Sequence, residues 1–194
     1  NTEGFNNTAV GSFAMDALTT GDYNTGLGVF ALTSETTGAG STAVGYAALY
    51  AQNSTSSADN QNTAVGNAAG VAITTANFSA LVGKNAGAAI TTGTSNTAVG
   101  KDSLISTTTG NYNVGIGIEG GINITTGEGN ICIGRGAKPA AGDNNNVIVL
   151  GENVVSVGSN NFTFGVTTTD SNIAAGATSI TAPSDVRLKE DIQD

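Results

Sequence analysis

Glycine returns along this chain at a nearly fixed interval. Gly11, Gly28, Gly45, Gly66, Gly83, Gly100, Gly117, Gly134 and Gly151 stand seventeen positions apart in seven of eight gaps, and twenty-one apart between Gly45 and Gly66. Each closes a short phrase such as Asn7-Thr-Ala-Val-Gly11 or Asn96-Thr-Ala-Val-Gly100. A period of that length marks a stacked-repeat architecture, in which one unit cannot bury its apolar face without a neighbour. Such a chain builds an extended object that presents a surface, rather than a fold around one catalytic pocket.

Take Asn7 as position 1 of the repeat. Position 4 reads Val10, Leu27, Val44, Val65, Val82, Val99, Ile116, Ile133, Leu150 and is aliphatic throughout. Position 3 is mostly small, as in Ala9, Ala43, Ala64 and Ala98. Alternation over so short a run predicts a β-strand with positions 2 and 4 on one face. The expectation is that the aliphatic face points inward and stacks into ladders. The small face would then lie outside, where it permits close approach of a partner chain and hence a homotrimer. A second phrase, as in Leu18-Thr-Thr-Gly21 and Ile90-Thr-Thr-Gly93, predicts another short extended segment and corner in each unit. The Ala14–Leu18 stretch between the phrases is open to one helical turn instead. The fold class is therefore all-β: a parallel β-solenoid of 17-residue coils over residues 1–165.

Composition fits a thin core. Charged residues are 11% of the chain, against about a quarter in ordinary domains, and the 39% that are hydrophobic are largely Ala and Val. The net charge of −9 leaves no basic stripe for nucleic acid and no attraction to anionic lipid. Cys132 stands alone, so no internal disulfide forms and a buried thiol is expected. No apolar run approaches a membrane span, so no membrane insertion is expected. The chain begins without Met, as a fragment or processed product does.

Four extra residues enlarge the unit between Gly45 and Gly66. They fall in a polar stretch, and Asn53, Ser54, Thr55, Ser56, Ser57 and Asp59 are the candidate binding residues there, because insertions in solenoids collect on one face. Gly142-Asp-Asn-Asn-Asn146 offers oxygen ligands but lacks the repeat of calcium-binding rolls, so no metal is expected. Gly115-Ile-Gly-Ile-Glu-Gly120 spells a dinucleotide pattern, yet its glycines belong to the repeat and no βαβ unit surrounds it. No cofactor is expected. Asp102 and Glu119 share position 7 of adjacent units and form the one carboxylate pair worth naming for a glycan-cleaving tailspike. The absence of His excludes the usual triad chemistry. An ice-binding threonine face is disfavoured, since the Thr pairs sit beside corner glycines.

After Gly165 the rhythm ends. Residues 166–183 read as a stalk or connector, and 184–194 carry six charged residues in eleven. Ser184-Asp-Val-Arg-Leu-Lys-Glu-Asp-Ile192 resembles the opening of the intramolecular chaperone domain that ends phage tail fibres and endosialidase-type tailspikes. The resemblance implies that Ser184 is a nucleophile and Lys189 its base, cutting between Pro183 and Ser184 once the full chaperone has assembled. Physically, a desolvated lysine can activate a hydroxyl. The dyad would be latent in a chain that carries only this opening, and no other enzymatic activity is expected. The repeat itself is similar to those of tail-fibre proteins and of trimeric autotransporter adhesin heads, which are left-handed β-rolls. Together these likenesses imply a homotrimeric fibre segment of a virion, extracellular, attached to other tail proteins and reaching a host-surface glycan or protein. The alternative is a bacterial adhesin head.

Overall fold

The structure is a computed structural model that describes residues 3–54, 60–166 and 171–174. Its described residues contain no helix. Nine three-residue strands recur once per coil: β1 (Thr8–Val10), β2 (Thr25–Leu27), β3 (Thr42–Val44), β4 (Thr63–Val65), β5 (Ala80–Val82), β6 (Thr97–Val99), β7 (Val114–Ile116), β8 (Ile131–Ile133) and β9 (Ile148–Leu150). Each pairs in parallel with the next, position upon position, as in Thr42↔Thr63 and Val44↔Val65. The chain is thus a parallel β-solenoid. At about 4.8 Å per rung, its nine coils span roughly 38 Å.

The short final unit closes the stack. β10 (Asn161–Phe164) pairs in parallel with β9, placing Phe162 on Ile148 by a step shorter than the full period. β11 (Ser171–Ala174) then turns back antiparallel to β10.

Each coil has three sides. The strand side holds positions 1–4, a turn side holds positions 6–11, and a threonine side holds positions 12–16. All three are bonded coil to coil: Thr42 N–H donates to the Asn62 carbonyl at 2.8 Å, Ala47 N–H to Val29 at 2.9 Å, and Thr91 N–H to Thr108 at 2.9 Å. Only the strand side is a regular strand, so the expected second extended segment is replaced by a run of bonded turns. The turn side is not a helical turn either, because its corners are left-handed. Phe30 and Leu32 have φ of 61° and 52°, and twenty non-glycine residues among those described take positive φ. None of them is β-branched, which fits the steric cost that a branched Cβ meets there. Left-handed backbone at such residues costs on the order of 1–3 kcal/mol each and persists where surrounding bonds over-determine it.

The strand faces are the reverse of the sequence expectation. Position 3 points inward, and Ala43, Ala64, Leu81, Ala98, Cys132 and Val149 are fully buried. Position 4 points outward, leaving Val65, Val82, Val99, Ile116 and Ile133 each 37–40% exposed. The physical reason is width. The interior is also filled from the opposite sides by Ala48, Leu49, Ile73 and their equivalents, so the strand can send in only a small residue. The larger exceptions are balanced. Leu81 takes the space that Gly70 and Gly87 leave, since a Cβ on either would lie 2.8 Å from a Leu81 methyl.

Two columns hold the register. Position 5 must be glycine: a Cβ on Gly66 would lie 2.5 Å from the Gly83 carbonyl oxygen of the next coil, and its φ is +138°. Position 1 is a buried asparagine ladder. Asn96 Nδ2 donates to the Gly110 carbonyl at 2.8 Å, and its Oδ1 accepts the Asn113 N–H at 2.9 Å; Asn113 and Asn130 repeat the pattern. The side chain therefore satisfies groups that no strand partner reaches.

Candidate functional site

The strand side presents an aliphatic ladder along the whole rod. Its rungs are Val10, Leu27, Val44, Val65, Val82, Val99, Ile116, Ile133 and Leu150, widened in the last coils by Val114, Ile131 and Ile148. Scattered exposed aliphatics need no explanation, but a contiguous column does.

The turn side changes character along the rod. In the first three coils it carries Phe13, Phe30, Tyr46 and Tyr50. Phe13 stacks on Phe30 with centroids 5.3 Å apart, and Phe30 meets Tyr46 and Tyr50 edge-to-face at 6.0 and 6.1 Å. Phe30, Tyr46 and Tyr50 line a groove of about 310 Å³ with Ala47, Ala68 and Val71. In later coils the same positions hold Lys84, Asn85, Lys101, Asp102 and Glu119.

That later stretch contains the candidate carboxylate pair. Asp102 and Glu119 both stand at left-handed corners, with φ of 56° and 59°, on successive coils. Asp102 is already engaged, accepting from Asn85 Nδ2 at 2.9 Å and pairing with Lys101. The Lys101 ammonium holds its carboxyl below the ordinary aspartate value, the opposite of what a general acid requires. Arg135 and Glu152 form a further exposed ion pair across coils.

Beside the insertion lies a buried polar cluster. Glu35 occupies position 12, where Leu18, Ile73, Ile90 and Ile124 are apolar, and it is fully buried. Its Oε1 accepts from the backbone N–H groups of Thr36, Thr37, Gly38 and Ser54 at 2.7–3.2 Å. Its Oε2 accepts from Gln52 Nε2 at 3.0 Å and Asn60 Nδ2 at 2.8 Å. Gln52 also reaches Ser41 and Asn62, so the cluster substitutes for the asparagine missing from coil three.

The expected insertion residues divide. Asn53 is exposed and accepts from Thr36 Oγ1 at 2.8 Å. Ser54 is buried, its N–H on Glu35 and its hydroxyl on Asn60, so it anchors rather than displays. Thr55, Ser56, Ser57 and Asp59 lie outside the described residues, as do Ser184 and Lys189. In the Gly142–Asn146 stretch, Asn144 and Asn145 spend their side-chain oxygens on the N–H groups of Ala141 and Glu128. Among the described residues no three His, Cys, Asp or Glu side chains converge as a metal site. The dinucleotide-like glycines are structural: a Cβ on Gly115 would lie 2.5 Å from the Gly120 carbonyl oxygen, and one on Gly117 2.8 Å from that of Gly134. Threonine hydroxyls on the third side bond along the rod, as Thr74 to the Thr91 carbonyl at 3.1 Å.

No protein-family model matches the chain, and no curated protein or solved structure matches it. Two surfaces escape a reading of the sequence alone. The outward ladder is legible there as a column, but not the side it faces. The aromatic cluster leaves a fainter signal: Phe30 and Tyr46 stand one period apart less one residue.

Proposed function

We propose that the chain is a segment of a homotrimeric attachment fibre on a phage or phage-like particle, with left-handed coils, joined to other tail proteins and reaching a host cell surface. The observation that supports it most is the outward aliphatic ladder. Burying a Val, Leu or Ile side chain fully is worth about 1.5–3 kcal/mol. At about 40% exposure a rung still offers about 0.8 kcal/mol, and the seven rungs exposed to about that extent or more (Val10, Leu27, Val65, Val82, Val99, Ile116 and Ile133) offer roughly 6 kcal/mol per chain. Three rods set face to face around a common axis would bury all three ladders. The small position 3 cannot be that seam, since it faces the interior of its own coil. The acidic, glycine-rich exterior suits a long soluble shaft.

Sedimentation equilibrium tests the assembly. A trimer has three times the 19.0 kDa mass of one chain. Val99→Asp with Ile116→Asp should shift the mass toward monomer, because each carboxylate would be desolvated at the seam. A wild-type monomer at micromolar concentration would refute the reading. Antibodies raised against the rod then decide its place: labelling of virion tails supports the fibre, whereas labelling of a bacterial outer surface replaces it with an adhesin head. Ser184 and Lys189 belong to the same proposal as the autoproteolytic dyad of a downstream chaperone.

A further inference from the structure

We infer that the groove on the turn side of coils two to four is a binding site for a neutral, pyranose-containing glycan. The inference rests on the attachment reading and gives it a contact surface. Phe30, Tyr46 and Tyr50 line it together with Ala47, Ala68 and Val71. The volume of about 310 Å³ stands at the lower end for a ligand pocket and suits one or two sugar rings.

Four features select this ligand class. First, the tyrosines are open: Tyr46 is 53% and Tyr50 42% exposed, while Phe30 holds both near perpendicular to itself at 82° and 84°. An ordered, half-open ring offers a π-face to the axial C–H groups of a pyranose at little entropic cost. Second, neither phenol hydroxyl bonds to a described residue, so both are free to meet the hydroxyl edge of a sugar. Third, among the described residues no charged side chain lines the groove. The chain as a whole is at −9, which disfavours acidic sugars, and no carboxylate among the described lining residues is there to pair with a cation. Fourth, the cluster is local. The aliphatic ladder runs through every coil on the strand side, whereas the rings stand on the turn side of three coils and give way to Lys84, Lys101 and Asp102. A seam between identical rods would run the length of the rod; a ligand site is confined.

The test uses the full chain and a panel of neutral hexose and N-acetylhexosamine oligosaccharides. Saturation-transfer NMR reports contact, and tyrosine fluorescence reports the site, because the chain has no Trp and only four Tyr. At least one oligosaccharide should bind saturably. Tyr46→Ala and Tyr50→Ala should each weaken it more than tenfold with an unchanged melting temperature, and Tyr112→Ala, on an exposed ring in another coil, should leave it unaltered. Three results overturn the inference: no saturable binding across the panel, binding that survives both groove substitutions, or a change in oligomeric mass in the groove variants, which would make the groove an inter-chain contact. Host-cell binding retained by the groove variants would remove this site while leaving the fibre reading intact. Host cells that ignore the wild-type rod would sink the fibre reading instead.

Discussion

Replacing Glu35 by Gln is a severe test of the buried cluster, because it removes one charge and swaps one oxygen for an NH2 of nearly equal size. The carboxylate accepts from four backbone N–H groups on Oε1 and two side-chain amides on Oε2. Glutamine keeps a single carbonyl oxygen, and the four backbone donors claim it. Its NH2 then faces the donating nitrogens of Gln52 and Asn60. Each buried donor left without an acceptor costs about 1–3 kcal/mol, so the pair costs about 2–6 kcal/mol. Losing the charge-assisted bonds adds to the loss, while sparing the desolvation of a carboxylate offsets part of it. The expected net is a destabilisation of about 3 kcal/mol. Glu35→Leu, which copies Leu18 one coil earlier, should cost more, because it leaves all six donors without their acceptor. Urea unfolding followed by tyrosine fluorescence, at matched protein concentration since association adds to apparent stability, reads the difference. If Glu35→Gln unfolds within about 0.5 kcal/mol of wild type, the scale of an ordinary surface substitution, the six bonds do not hold the coil at the insertion.

Four further outcomes are expected. Gly66→Ala should destabilise by about 3 kcal/mol or more and lower the thermal midpoint, since its Cβ would meet the next coil's carbonyl at 2.5 Å and its φ is strained for alanine. Leu81→Ala should cost about 2–5 kcal/mol through a cavity, and adding Gly87→Leu should restore much of it, because Leu49 and Leu104 take that same left-handed corner in their own coils; a strictly additive double variant would disprove the exchange of volume. Cys132, buried and with its thiol pushed up to about 12 by desolvation, should resist iodoacetamide at pH 8 and react only after unfolding; modification of the native rod would contradict its burial. In a chain extended through a complete chaperone domain, Ser184→Ala should abolish release of the C-terminal piece by mass spectrometry, and cleavage that persists would dismiss the dyad.

The repeat makes the architecture legible before any coordinates. Glycines at a nearly constant spacing of seventeen positions, each behind an aliphatic residue, leave little but coil upon coil, and the strands fall where the Thr-Ala-Val phrases stand. Which face of those strands is inside was not legible. Alternation distinguishes two faces without ranking them, and hydrophobicity ranks Val99 above Ala98. The interior follows volume instead, because Leu104 and Ile90 already fill it from the other sides. The corners were hidden for a related reason. Glycine advertises a left-handed turn, whereas Phe30, Leu49 or Asp102 at the same kind of site does so only by the absence of a branched Cβ. The aromatic groove joins residues from three coils, and it appears once the chain is wound on its period. The buried role of Ser54 could not be read from a polar stretch, since it depends on Glu35, far back in the preceding coil.

The bonds between coils run along the rod, and every coil is tied chiefly to its immediate neighbours. A pull on the two ends therefore loads the rungs in series: all bonds within one rung share the force, yet every rung bears it whole. Strength does not grow with length, and the object yields where a single rung is weakest. The rungs without the asparagine, at Ser41, Ser79 and Val147, are where such a tether has least to hold it, and of these the enlarged coil alone has a carboxylate gathering its donors in place of the amide.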